Sequence, residues 1–529
     1  MLESLSEFLA PPRVQQVLAV LRWAFYAAAV LLALRACFHF APYRIGHHVR
    51  LMLFPLLFCL AALAILAAQA HWQLFGFTDR RFVAYMERHN VRPDNAAHHL
   101  VRGSVLDRAG RPIAYTEEDG SGRRIYPYEA ATAHVAGFHP SEGPVGVEKE
   151  ADDLLSGWRE LATAQDVREA GRTAFEGTER HIGTNLTLTI DARLQLCALT
   201  LLDGRRGAAV ALDPRTGEVL LLCSSPSFDP NRPDLRLDDD SVKPPPKPFS
   251  NRALHRRYPP GSTFKTAIAA LMVECRVPLE IDCPGEGYRL RSWGKPIRDH
   301  EYYAYRSRGA VWPGFGRIGL DTALAKSSNV YFAHGGVSCG TGPFNAMAER
   351  LRLRDRVLLY TNGAHRVSAI APNCPPLGRA EIHELAQRSF GQGALEVTPL
   401  HMAMIVGAIA NHGVMMAPHL ALDAEPESLG RVFAARAADR VADAMRNAVK
   451  SGTAKGAAIP GLDVRGKTGT AQNPPGKDSD GRDHSWFVCF ASRPGEEPTI
   501  AVAVIVENAG FGSAAALPVA AGILKEFFR

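Results

Sequence analysis

Residues 499–508, "TIAVAVIVEN", contain an apolar run from Ile500 to Val506 with no polar alternation. A strand with one wet face alternates polar and apolar residues. One without that alternation has to be covered on both faces, which calls for a layered α/β architecture. Two more strand patterns precede it, "DVRGKTGTAQ" and "HSWFVCFAS". Far upstream, "GAAVALDPRTGEVLLLCSS" reads as a hairpin, because Pro214 presets its backbone angle and Gly217 tolerates positive φ. Residues 262 to about 450 carry helical patterns such as "TPLHMAMIVGAIANHG". A sheet assembled from both ends, with helices inserted between, gives an α/β (α+β) domain over residues 185–529.

Upstream the character changes. Residues 51–70, "LMLFPLLFCLAALAILAAQA", carry no charge, and the uncharged run continues to Thr78. That length spans roughly 30 Å of hydrocarbon at about 1.5 Å per residue, so a transmembrane helix is expected over about 51–72. An earlier apolar stretch within residues 17–40 is interrupted by Arg22; it either spans with Arg22 snorkelling or lies in the interface. Arg35, Arg44 and Arg50 favour a cytoplasmic loop between the two, which places the rest of the chain outside. Ala68-Gln69-Ala70 resembles a signal-peptidase site, but the lead-in is too long for an ordinary signal peptide, so an uncleaved anchor region over 1–78 is expected. Residues 79–184 are polar, alternate strand-like and turn-like pieces, and contain nothing that reads as catalytic. "SVKPPPKPF" (241–249) is expected to be a stiff loop.

The formal charge of +6 is spread without basic blocks, which excludes an evident nucleic-acid interface. The nine cysteines show no CxxC and no Cys/His ligand spacing, so no metal site is implied. Export would allow Cys275 and Cys283 to pair; buried free thiols are the expectation.

The chemistry concentrates in "YPPGSTFKTAIAALMVEC", residues 258–275. Phe264, Ala267, Ile268, Leu271, Met272 and Cys275 recur at the helical period and form an inward stripe. Pro259, Pro260 and Gly261 cannot be helix interior, so Ser262 falls in the first turn. Lys265 lies on the same side, with Cβ atoms roughly 5–6 Å apart. A serine nucleophile needs a base at that distance, and lysine serves only when desolvation lowers its pKa from about 10.4. Half-burial on a packed helix is the expected source of that pressure. A second Ser-x-x-Lys, Ser292 to Lys295, has no apolar period behind it and reads as chance.

Two further elements strengthen the pattern. "LAKSSNVYFA" supplies Ser327 and Asn329 after an apolar helical run. "RGKTGTAQN" supplies Lys467, Thr468, Gly469 and Thr470 at a strand, where a cation and two hydroxyls suit a carboxylate and the glycine lets a substrate backbone approach. Alone, Ser-x-Asn is often a helix cap and Lys-Thr-Gly often a turn. Their order and shared hydrophobic flanks make coincidence implausible.

These three motifs resemble the SxxK, SxN and KTG signature shared by penicillin-binding proteins and serine β-lactamases. "ALDPRTGEVLLLCSSPSFDPN", "NRALHRRYPPGSTFK", "SSNVYF", "FGQGALEVTPLHMAMIVGAIANHG", "GKTGTAQ" and "WFVCFAS" resemble the class B, monofunctional transpeptidase branch across residues 185–529. "RGSVLDRAGRPIAY" and "GPVGVEKEADDLLSG" resemble the short pedestal domain of the same proteins, placed at 79–184.

The resemblance implies a penicillin-binding-protein-like fold, a mainly antiparallel sheet flanked by helices, and a D,D-transpeptidase that cross-links peptidoglycan stem peptides outside the cytoplasmic membrane. Ser262 would attack the penultimate D-alanine carbonyl and Lys265 would take its proton. Ser327 would pass a proton to the leaving D-alanine, helped by Lys467, while Asn329 holds the donor amide and orients Lys265. Thr468 and Thr470 would grip the terminal carboxylate beside Gly469, and the backbone N–H groups of Ser262 and Thr470 would form the oxyanion hole. β-Lactams would trap Ser262; no cofactor is implied, and a membrane-embedded glycan polymerase is the family's usual partner. A D,D-carboxypeptidase or β-lactamase-like hydrolase shares the acylation step, and an inactive scaffold or sensor would keep the fold alone. Two candidate membrane helices, where one is usual, are a departure that the resemblance does not absorb; the short pedestal leaves no room for a glycosyltransferase domain, which speaks against the bifunctional class A enzymes.

Overall fold

The computed structural model describes residues 100–529 apart from 118–121, 139–145, 157–180, 233–246, 292–293, 364 and 474–480, together with residues 35, 64, 65 and 68. The elements that carry the fold belong to one unit, His98–Arg529. Apart from residues 35, 64, 65 and 68, both candidate membrane segments lie outside the described residues, as do Cys37, Cys59, Ser292 and most of "SVKPPPKPF". Among those described, no helix is long and apolar enough to cross a membrane.

The central sheet has five strands: β1 (Gly207–Leu212), β2 (Val219–Ser225), β3 (Asp463–Ala471), β4 (His484–Ser492) and β5 (Ile500–Val506). Their order is β3-β4-β5-β1-β2, every pairing antiparallel, so the far end of the chain joins the near end at β5 and β1, where Val504 faces Ala209. β5 is buried throughout. Its alternate residues divide between two cores: Ala501, Ala503 and Ile505 enter one, while Ile500, Val502, Val504 and Val506 enter the other. This is the double coverage that the unalternated sequence requires.

Helices α1 (Ala192–Leu202) and α7 (Ala516–Phe527) cover the second face. The first face is covered by α5 (Pro399–Ala410), buried at every position and started by Thr398, whose hydroxyl accepts from the His401 N–H ahead of Pro399. Gly407 of α5 faces the sheet where an added Cβ would sit 3.0 Å from Leu212 Cδ1, so this face is packed to contact.

Behind α5 lie α2 (Lys265–Glu274), α3 (Leu320–Lys326), α4 (Asn329–Cys339) and α6 (Ala435–Ser451). The one-sided stripe expected for α2 proves too modest: every residue from Lys265 to Met272 is buried. Ala267, Ala269 and Ala270 are small enough for α3, α4 and α6 to close around the helix. Cys275, which the stripe placed inside, is half-buried.

N-terminal to this lies a small four-stranded sheet made of Arg124–Ile125, Pro112–Thr116, Val105–Leu106 and Leu186–Thr187. The last of these lies beyond residue 184. Glu148, fully buried, accepts from the guanidinium groups of Arg102 and Arg124 at 2.7 and 2.8 Å, which is what permits a carboxylate inside so small a layer. Cys223, Cys283, Cys374 and Cys489 are buried free thiols, as expected; Cys197, Cys275 and Cys339 are free and half-buried. Cys275 and Cys283 do not pair. The Cys283 sulfur lies 3.8 Å from Ser328 Oγ.

Candidate active site

The segment before α2 is a 3₁₀ turn, Gly261–Phe264, running directly into the α-helix at Lys265. Ser262 therefore stands in a tight first turn and is partly exposed while its neighbours Gly261, Thr263 and Phe264 are buried. Lys265 is completely buried, not half-buried. Its Nζ donates to the Ser327 carbonyl at 2.6 Å, to Asn329 Oδ1 at 2.7 Å and to Ser327 Oγ at 3.3 Å. Burial lowers its pKa to about 7, against the opposing pull of Asp299 and Glu301. The Phe332 ring, 5.7 Å away, closes its apolar side.

Ser327 ends α3 in the left-handed region, φ 61°. Ser328 begins α4, its hydroxyl accepting from the Tyr331 N–H. The kink between the helices presents Ser327 and Asn329 together. From the sheet side, fully buried Lys467 reaches the same hydroxyl, with Nζ 2.9 Å from Ser327 Oγ and 2.8 Å from the Thr468 carbonyl. Burial, and then the nearby Lys265, push the Lys467 pKa well below its ordinary value.

Two amines thus converge on one hydroxyl in a desolvated space. Holding both as cations would cost heavily, so the site favours at least one neutral amine at pH 7. A neutral Lys265 has two hydrogens. The Ser327 carbonyl and Asn329 Oδ1 take both, which leaves its lone pair free to accept a proton.

Strand β3 meets the 3₁₀ turn through glycines. An added Cβ on Gly469 would lie 2.8 Å from Thr263 Cγ2 and 2.9 Å from Trp486 Cβ. One on Gly261 (φ 54°) would lie 2.5 Å from the Thr470 carbonyl oxygen. One on Gly391 (φ 82°) would lie 1.9 Å from the Gly261 oxygen. The Gly261 N–H donates to the Gly391 carbonyl at 2.9 Å, and the Trp486 indole donates to the Pro259 carbonyl at 3.0 Å, pinning the turn to the sheet. Thr468 is buried and its hydroxyl shares a 2.6 Å hydrogen bond with Thr453, while Thr470 is half-exposed. When Thr453 is the donor, the Thr468 proton is available to an anion.

Sequence reasoning missed Asp299, Thr453, Gly391 and Trp486. Asp299 is 2% exposed; its Oδ1 accepts from the N–H groups of Asn329 (2.5 Å) and Val330 (3.1 Å) and from Ser328 Oγ (3.0 Å). The only signal for it in the sequence was an acid in a polar stretch. Of the two Ser-x-x-Lys copies, the second leaves Lys295 exposed.

Residues 207–529 match the penicillin binding protein transpeptidase domain. A peptidoglycan D,D-transpeptidase, PbpA, of Mycolicibacterium smegmatis is 31% identical over 476 residues, which covers 81% of this chain and 89% of that protein. A peptidoglycan D,D-transpeptidase, MrdA, of Acinetobacter baumannii is 30% identical over 457 residues, 74% of this chain and 64% of that protein. Among solved structures, the ceftriaxone acyl-enzyme complex of penicillin-binding protein A from M. tuberculosis superposes with a TM-score of 0.69 at 27% identity, covering 82% of this chain and 100% of that one.

Proposed function

Because the chain belongs to the penicillin-binding protein transpeptidase family, we propose that it is a peptidoglycan D,D-transpeptidase working through an acyl-enzyme on Ser262. The observation that carries the reading is the pair of buried lysines meeting at Ser327 Oγ, one of them with its pKa lowered to about 7 beside Asn329.

In this reading neutral Lys265 removes the Ser262 proton as Oγ attacks the carbonyl of the penultimate D-alanine. The backbone N–H groups of Ser262 and Thr470 stabilise the oxyanion. Ser327 hands a proton to the departing terminal D-alanine amine, with Lys467 holding that hydroxyl. Asn329 orients Lys265 and holds the donor amide. Thr468 and Thr470 bind the terminal carboxylate, and Gly469 leaves room for the substrate backbone. The amine of a second stem peptide then attacks the ester, forms the cross-link and returns the proton to Ser262. A β-lactam acylates the same hydroxyl, and its leaving group stays tethered.

Residues 1–78 act as a membrane anchor, 79–184 as a pedestal and 185–529 as the transpeptidase domain. The uncharged run to Thr78 supports a cytoplasmic-membrane protein with its catalytic part on the outer side, beside a membrane-embedded glycan polymerase.

Intact-mass measurement with a labelled penicillin tests the acylation chemistry. A single long-lived adduct supports the reading, rapid release indicates a β-lactamase, and no adduct indicates an inactive scaffold. With stem peptides ending in D-Ala-D-Ala, D-alanine release coupled to a new cross-link is expected; release alone identifies a carboxypeptidase.

A further inference from the structure

Helices α2 and α4 meet at the site through Lys265 and Asn329, the first residue of each helix. They stay in contact along their length. An added Cβ on Gly335 would lie 2.2 Å from Met272 Cε, so this glycine of α4 admits a side chain of α2, and the next, Gly336, stands in van der Waals range of Ile268 Cγ2. Ten residues beyond Lys265 stands Cys275, and ten beyond Asn329 stands Cys339. Both residues pack on the same core, half-buried and free, at matching positions of the two contacting helices, and each thiol perturbs the other's ionisation. Two parallel helices in register, about 15 Å long from site residue to cysteine, thus end on a facing thiol pair.

We propose that Cys275 and Cys339 are a disulfide-forming pair that ties together the far ends of the two helices carrying Lys265 and Asn329. This goes beyond the transpeptidase reading and does not depend on it. The contrast with the other described cysteines supports it. Cys223, Cys283, Cys374 and Cys489 are buried, and Cys197 bonds the Gly522 carbonyl. Thiols at matching ends of two helices in contact lie within the reach of disulfide geometry. Burial raises the pKa of both thiols, with Glu274 adding to the rise at Cys275. Thiolate stabilisation therefore does little to favour the reduced form, and a bond between poor leaving groups resists reversal once made.

The oxidant required is a disulfide, either a small-molecule one or the oxidised form of a dithiol oxidoreductase. With glutathione disulfide the Cys275 thiolate attacks one sulfur and expels one glutathione thiolate. Cys339 then attacks the mixed disulfide and expels the second. The protein thiols lose two protons and two electrons, and one glutathione disulfide becomes two glutathione thiols.

The test equilibrates the full chain with glutathione disulfide, blocks remaining thiols by alkylation and maps peptides by mass spectrometry without reduction. A Cys275–Cys339 linked peptide two hydrogens lighter than the separate pair is expected, with a melting temperature about 4–8 °C above the reduced protein. Cys339→Ser and Cys275→Ser, both at half-buried positions, should fold and lose that shift. Alkylation of both thiols after equilibration, a persistent glutathione adduct on either, or a linkage of Cys275 to another cysteine would overturn the assignment. So would equal melting temperatures for oxidised and reduced wild type.

Discussion

Asp299 is buried beneath the start of α4, and replacing it with asparagine isolates what its charge does to Lys265. Its Oδ1 accepts from the Asn329 N–H at 2.5 Å, and the Asn329 side chain accepts from Lys265 Nζ at 2.7 Å. Adding the roughly 3 Å span of that side chain puts carboxylate and amine about 7 Å apart. With an effective dielectric near 20 the attraction is about 2 kcal/mol, or between about 1 and 2 pH units of the lysine pKa. Asp299 acts to raise that pKa, partly opposing burial, as Glu301 does more weakly. Asn keeps the Oδ1 acceptor and removes the charge. The rate of penicillin acylation in wild type should rise with pH through a midpoint near 7, as Lys265 loses its proton. In Asp299→Asn the midpoint should fall to about pH 5–6. The assay is the second-order acylation rate with a fluorescent penicillin at fixed ionic strength, with a thermal melt at each pH to show that the variant is folded. A midpoint that stays at 7 or moves upward refutes the claim that Asp299 holds protons on Lys265.

Ser262→Ala should form no penicillin adduct and melt within a degree or two of wild type; labelling that persists would move the nucleophile elsewhere. Gly469→Ala forces a Cβ against Thr263 and Trp486, and should cost about 1–3 kcal/mol and slow acylation about tenfold, read by denaturant midpoint and adduct formation. Glu507 sits between Arg252 (2.9 Å) and Arg206 and accepts from Tyr258 OH at 2.7 Å, so Glu507→Gln should lose about 3–5 kcal/mol by leaving buried cations uncompensated; a loss under about 1 kcal/mol would contradict this. The unfolded chain binds a proton at Lys265 up to about pH 10.5 but the folded chain only up to about 7. Stability should therefore rise with pH across that window, by up to about 1.4 kcal/mol per pH unit. Lys265→Met should flatten the rise between pH 7 and 9 in urea titrations, leaving the share due to Lys467.

The sheet was legible because β1, β2, β4 and β5 carry unbroken apolar runs, and a run without alternation has to be covered on both faces. Ser262 and Lys265 were proposed from their spacing along one helix, and Ser327, Asn329 and residues 467–470 from the order and hydrophobic flanks of their motifs; the structure brings Lys265, Ser327, Asn329 and Lys467 together. The full burial of Lys265 was not. Alanines score as indifferent in a periodicity argument, yet on α2 they are what lets three helices close in. Asp299 was silent for a related reason: its partners are thirty residues away on α4, and no local pattern encodes a contact between a loop and a helix start. Trp486 falls in a strand pattern and is buried; its second task, holding the Pro259 carbonyl, depends on strand register.

Gly391, Gly261 and Thr470 stack main chain upon main chain, with no side chain between them to lengthen or trim. The floor beneath the nucleophile thus lacks an adjustable part. Gradual evolutionary retuning, including escape from an acylating drug, has to work from the walls of the cleft, because any atom added to the floor displaces the turn on which the reaction depends.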